Sequence, residues 1–121
     1  MKKQALVERI LAEGDFDLFV EHETIPVRGN AMASEDPEYN RQVEDEILSR
    51  LENGDVWAWA SVRAEGRWNG LVEWDSLGCC SYEDREAFLR DGYWADMKLG
   101  IAQRIAEEFE RIGKKYVEIQ E

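Results

Sequence analysis

The sequence predicts an α+β fold: a small, mostly antiparallel sheet with a central Trp-rich hairpin, packed by helices, in the order α-β-α-β-β-α-α-β. Three observations predict it. Apolar residues recur every three or four positions over 3–13, 34–52 and 93–112. They alternate over 16–27 and, either side of a turn, over 56–64 and 67–76. Gly, Pro or Asn-Gly punctuates the changes of period.

Leu6, Val7, Ile10 and Leu11 form one stripe over Lys3–Glu13, and Gly14 stops that helix. Phe16, Leu18 and Val20 share one face of a strand over Phe16–Val27, with Pro26 marking an end or an edge. Arg28–Ala33 reads as a loop. Ser34 is the expected N-cap of a second helix, because acidic residues and Pro37 suit its first turn. Tyr39, Val43, Ile47 and Leu51 are its expected buried stripe, and Asn53-Gly54 ends it.

Val56–Ala64 and Arg67–Ser76 read as a hairpin turning at Glu65-Gly66. That register places Trp57 opposite Trp74, Trp59 opposite Val72 and Arg63 opposite Trp68, all on the expected core side. The other side holds Val56, Ala58, Ala60, Val62, Asn69, Leu71, Glu73 and Asp75. Leu77–Cys80 is expected to turn, Ser81 to cap a short helix over Tyr82–Arg90, and Gly92 to break it. A longer helix over Tyr93–Ile112 carries Trp94, Met97, Ile101, Ile105, Phe109 and Ile112, and Gly113 closes it. Lys115–Ile119 reads as a last short strand.

At 121 residues, and with no repeat or linker, the chain suits a single domain over 1–121. Hydrophobic residues make up 44%, enough for a packed core. Twenty-seven Asp and Glu against 15 Lys and Arg give a formal net charge of -12, which repels nucleic-acid phosphates. Stacking of bases on the tryptophans is therefore disfavoured relative to a core role. No apolar run approaches the roughly 20 residues of a membrane span. Met1-Lys2-Lys3-Gln4 is not followed by the apolar core of a signal peptide, so a cytoplasmic location is expected.

Catalytic signatures are missing. The two cysteines, Cys79-Cys80, are adjacent and suit free thiols in a reducing compartment. A redox or soft-metal role for the dithiol is the alternative. His22 is the single histidine, and neighbouring Glu21 and Glu23 alternate away from it in a strand, so no zinc set is expected. Nucleotide-binding glycine loops are absent too. The expectation is a non-enzymatic protein without cofactor or metal.

The negative charge is uneven. Residues 30–55 carry -6 and residues 73–96 carry -5. Glu38, Asp45 and Glu52 are seven apart and line the helix face opposite Val43, Ile47 and Leu51. Glu44 and Glu46 flank that line. Such a face keeps a protein soluble or attracts a cationic patch on a partner.

Several segments resemble a family of short, uncharacterised proteins carried by bacterial phages and plasmids. They are Arg28-Gly29-Asn30-Ala31, Gly54–Val62, Trp68-Asn69-Gly70, Leu77–Tyr82 and Asp91–Met97, spread over the central two thirds of the chain. The resemblance implies a mobile element expressed in a bacterial cytoplasm, and it carries no established activity. Small acidic proteins from such elements include anti-CRISPR and anti-restriction inhibitors. The leading expectation is thus an acidic inhibitor that occupies the basic, nucleic-acid-binding surface of a host defence complex through Glu35, Asp36, Glu38, Asp45, Glu46, Glu52, Glu83, Asp84 and Glu86. The alternative is a structural or regulatory homodimer without nucleic-acid mimicry, joined through the mixed sheet face or the Trp94 region.

Overall fold

Where period, cap and stop agree, the chain folds as its local chemistry dictates. The computed structural model describes the backbone of residues 2–31 and 34–120, and the side chains of 3–31 and 34–114. The last two positions of the expected 28–33 loop lie outside the described residues. Helix α1 (Lys2–Glu13) buries Val7 and Ile10 and ends at Gly14, whose N–H donates to the Ile10 carbonyl at 2.8 Å. Strand β1 (Asp15–His22) follows, half-burying Phe16 and Val20 and burying Leu18, as their alternation predicts.

Helix α2 (Pro37–Glu52) is capped by Asp36, not Ser34: the Asp36 carboxylate accepts from the Glu38 N–H at 3.0 Å. The Ser34 hydroxyl instead accepts from the Asp36 N–H at 3.0 Å, one turn too early to cap. Ile47 is buried and Val43 and Leu51 are half-buried, but Tyr39 at the first turn is 50% exposed. Gly54, at φ +82°, takes the left-handed conformation just beyond the helix end.

The hairpin departs most from expectation. Val56–Ala58 is a single 3-10 turn, because the Asp55 carboxylate captures the Trp57 N–H at 3.1 Å. Strand β2 (Ala60–Trp68) and strand β3 (Leu71–Cys80) meet at Asn69-Gly70, both at positive φ (50° and 79°), as a primed two-residue turn requires. Glu65-Gly66 is therefore strand, and so is Leu77–Cys80. The register shift reverses the faces. Ala60, Val62, Ala64, Gly66 and Trp68 point inward, whereas Val72 and Trp74 are 54% and 52% exposed. Trp57, Trp59 and Trp68 remain buried, but they do not form one strand face with Trp74. The sheet is antiparallel, in the order β1-β2-β3.

Helix α3 (Arg85–Arg90) is capped by Asp84 rather than Ser81: its carboxylate accepts from the Ala87 N–H at 2.8 Å. Helix α4 (Gly92–Gln120) runs through Gly113, so the backbone expected as a last strand is helical. A single glycine does not stop a helix when the residues beyond it have no sheet edge to join.

Two compact units result. The first comprises 1–18, 64–75 and 92–121, and the second 19–63 and 76–91. In the first, α1 packs along α4, whose Ile101, Ala102, Ile105 and Ala106 are fully buried. Trp68 is held on three sides. Its ring N–H donates to Glu13 at 3.1 Å, the Arg9 guanidinium lies 5.7 Å from its centroid, and Phe109 meets it edge-on at 5.2 Å. In the second, Val27, Ile47, Ala58 and Trp59 form a core. The Trp59 ring N–H donates to the Ile25 carbonyl at 2.7 Å, so this large ring is buried without an orphaned donor. Phe88 is fully buried against Trp57 and Tyr82, with centroids 5.6 and 5.1 Å away.

Gly66 is where α4 comes closest to β2. An added Cβ would lie 2.6 Å from Ile101 Cγ2 and 2.8 Å from the Phe16 ring. Gly66→Ala is expected to destabilise the protein by about 1–3 kcal/mol, the usual cost of overpacking a tight core. Urea denaturation measures it, and an unchanged midpoint contradicts the packing described.

Candidate functional site

All nine sequence-nominated carboxylates fall in the second unit. That unit holds 14 acidic and 6 basic residues, a net -8, while the first holds 13 and 9, a net -4. About half the chain thus carries two thirds of the net charge.

Helix α2 displays most of them. Its Ile47 stripe faces inward, so Glu38, Asp45 and Glu52 point outward and all three are exposed. Fourteen residues of helix separate the first from the last, about 21 Å. The line is not uniform, because Arg28 binds its middle. The Arg28 guanidinium pairs with Asp45 and, at 3.0 Å, with Glu44, whose other oxygen accepts from the Gly29 N–H at 2.9 Å. The Gly29 N–H, followed by Arg28, holds the Glu44 carboxyl below its ordinary pKa. Asp45 is therefore partly neutralised and belongs to a loop clamp as much as to an open face.

Asp36 and Asp84 are exposed, yet each spends one oxygen on a helix cap. Glu35, Glu38, Glu46, Glu52, Glu83 and Glu86 are exposed, and among the described residues their side chains have no ion pair. The fold brings Glu46 and Glu83 to one shallow depression of about 530 Å³, lined also by Arg50, Asp55, Ser81 and Tyr82. Glu35, Asp36 and Glu38 lie at the other end of α2, more than about 10 Å along its axis from Glu46.

Arg50 builds the depression. It is half-buried, and its Nε donates to Asp55 at 2.9 Å. Another of its nitrogens reaches the Tyr82 carbonyl at 2.5 Å and the Glu83 carbonyl at 3.4 Å. One guanidinium thereby ties α2 to the start of the 81–86 segment. Sequence reasoning missed Arg28 and Arg50. Arg28 finds Glu44 16 residues away, and Arg50 finds Tyr82 32 residues away, separations that leave no local pattern.

The cysteines sit at the end of β3. Cys79 is half-buried at φ +55° and Cys80 is buried; both are free thiols. Burial, aided by the charge of Cys79 and Glu23, pushes the Cys80 thiol up to about 11. Burial and Glu23 also raise Cys79. Neither supplies the thiolate that redox sensing or soft-metal binding uses at neutral pH. Glu23 accepts from the Cys79 N–H at 2.8 Å and from the Thr24 N–H at 2.8 Å, and these bonds hold its carboxyl below the ordinary range. Gly78 is required beside it, since an added Cβ would lie 2.7 Å from Glu23 Oε1. His22, the last residue of β1, is exposed. Among the described residues, no group of three or more His, Cys, Asp or Glu is arranged to hold a metal ion, and no helix is long and apolar enough to cross a membrane.

No family model, no curated protein and no solved structure matches the chain.

Arg50→Met is expected to cost about 1–3 kcal/mol, because it strands two carbonyls and a carboxylate. It should also raise amide exchange over 81–84, read by hydrogen–deuterium exchange; unchanged exchange there contradicts the clamp. Glu23 has a lowered folded pKa, so its stabilising contribution is present above the unfolded carboxylate pKa and lost as pH falls through the folded value. Wild type should therefore lose stability below about pH 4 more steeply than Glu23→Gln, measured by melting temperature against pH. Parallel profiles contradict this role.

Proposed function

We propose that this protein is a non-enzymatic, acidic binding protein that presents the outer and depression-side faces of α2 to a basic surface of another protein. The partner class is a nucleic-acid-binding complex of a bacterial host, engaged at the groove that normally holds phosphates, in the manner of an anti-CRISPR or anti-restriction inhibitor. The setting is the bacterial cytoplasm implied by the phage and plasmid resemblance.

The observation that carries the reading is the concentration of charge. A net -8 resides on the second unit, with Glu38, Glu46, Glu52 and Glu83 exposed on it. Carboxylates gathered in this way steer a cationic partner and raise its association rate. Tyr39 adds a second feature. It lies one residue after Glu38 and seven before Glu46, so it shares a flank of α2 with Glu46, and its ring is half exposed. An exposed aromatic among charges is the composition of a binding hot spot, whereas a face that serves solubility alone has no use for it. The protonated state of both thiols at neutral pH removes the most reactive nucleophiles from consideration, which supports a binding role over a catalytic one.

The working carboxylates differ from those nominated by spacing. Arg28 already engages Asp45, and reversing Asp45 would disturb the 28–29 loop as well as the face. The test is the triple variant Glu38→Lys, Glu46→Lys, Glu52→Lys. It is expected to retain the wild-type circular dichroism spectrum and to lose capture of the basic partner from a bacterial host lysate. Wild-type capture is expected to fade with rising salt, because exposed charges are screened. Salt-insensitive capture, or capture by the triple variant at wild-type strength, rejects the reading.

A further inference from the structure

The apolar stripe of α4 outlasts the core it serves. Ile101 and Ile105 are fully buried, whereas Phe109 and Ile112, one and two turns on, are 42% and 44% exposed. The helical backbone continues to Gln120. Phe109 keeps one edge contact to Trp68, and the rest of its ring is open.

Helical backbone changes what the C-terminal spacing means. In a strand, Tyr116 and Ile119 fall on opposite faces. On a helix, Ile105, Phe109, Ile112, Tyr116 and Ile119 follow one another at intervals of four, three, four and three. Their mean repeat is 3.5, the period of a seam that pairs with another helix and not that of a helix lying on a sheet. Ile105 is used up inside the first unit, so the seam open to a partner begins at Phe109.

Charge selects the partner. The chain carries -12, and two copies meeting through the second unit would repel one another. Helix α4 is different: Gly92–Gln120 contains five acidic and five basic residues, a net charge of zero. Two copies can therefore approach along α4 without that penalty, and each brings a helix of matching 3.5-residue spacing. A basic partner attracted by the acidic unit gains nothing from a neutral helix.

We propose that the C-terminal half of α4 is a self-association seam, in which a second copy of this chain covers Phe109 and Ile112. This is a different contact from the mixed sheet face and the Trp94 region expected from the sequence. It is also independent of the acidic face, which stays free in the dimer to meet its partner.

Sedimentation velocity of the full chain tests it. The wild type is expected to move from 14.1 kDa toward twice that mass across the micromolar range, at low and high salt alike. Ile112→Glu should keep the wild-type circular dichroism spectrum and associate at least about tenfold more weakly, because it places a charge in an apolar contact. Tyr93→Ser, at the exposed start of α4, should associate as the wild type does. The triple carboxylate variant should also remain dimeric, which separates this proposal from the acidic-face reading. If Ile112→Glu does not fold, amide exchange of the wild type decides the matter: protection over 108–114 should rise with protein concentration. A wild type that stays at 14.1 kDa throughout, a dimer unaffected by Ile112→Glu, a dimer broken by Tyr93→Ser, or concentration-independent exchange overturns the proposal.

Discussion

The register of one hairpin governs the rest of this structure. Asn69 and Gly70 both adopt positive φ, a pair of conformations that matches the right-handed twist of the two strands they join. Setting the turn there, rather than four residues earlier, sends Ala60, Val62, Ala64 and Gly66 inward and turns Val72 and Trp74 out. The inner face of β2 is consequently built from small residues. In the first unit this allows Ile101 and Phe16 to close directly onto Gly66, where no side chain could fit. A sheet face of tryptophans would have held the helix away.

The electrostatics follow a similar logic, in which a few arginines decide what many carboxylates can do. Arg28 and Arg50 both serve the second unit. Arg28 draws Asp45 and Glu44 onto a loop, and Arg50 spends its donors on Asp55 and two backbone carbonyls. Neither is left over to neutralise Glu38, Glu46, Glu52 or Glu83. The surplus is therefore sorted: part of it caps helices and pins loops, and the rest faces solvent from α2 and the 81–86 segment. This sorting gives the binding reading its physical content, since a net charge alone says nothing about direction.

Much of α2 was legible before any coordinates. Asp36-Pro37 near its start and Asn53-Gly54 at its end are local signals, and the outward line of Glu38, Asp45 and Glu52 follows from helical period once Ile47 is inside. The capping residue was misread because Ser34 and Asp36 are both competent, and only the backbone path shows whose oxygen reaches an orphan N–H. The same ambiguity displaced the cap of α3 from Ser81 to Asp84. Gly113 was read as a stop because glycine often ends helices, but an interior glycine costs a helix only about 1 kcal/mol.

The amino-acid order alone determined the α+β class, the helix and strand inventory up to Gly113, the excess of negative charge and its concentration around α2, because each depends on period, composition or a neighbour within a few residues. The tertiary structure alone decided the hairpin register, the exposure of Trp74 and Tyr39, and the split between clamped and open carboxylates. Two turn dipeptides compete in 65–70, and only packing against residues such as Ile101 separates them. Arg28 and Arg50 likewise meet partners 16 and 32 positions away, a distance at which no local pattern in the chain records the contact.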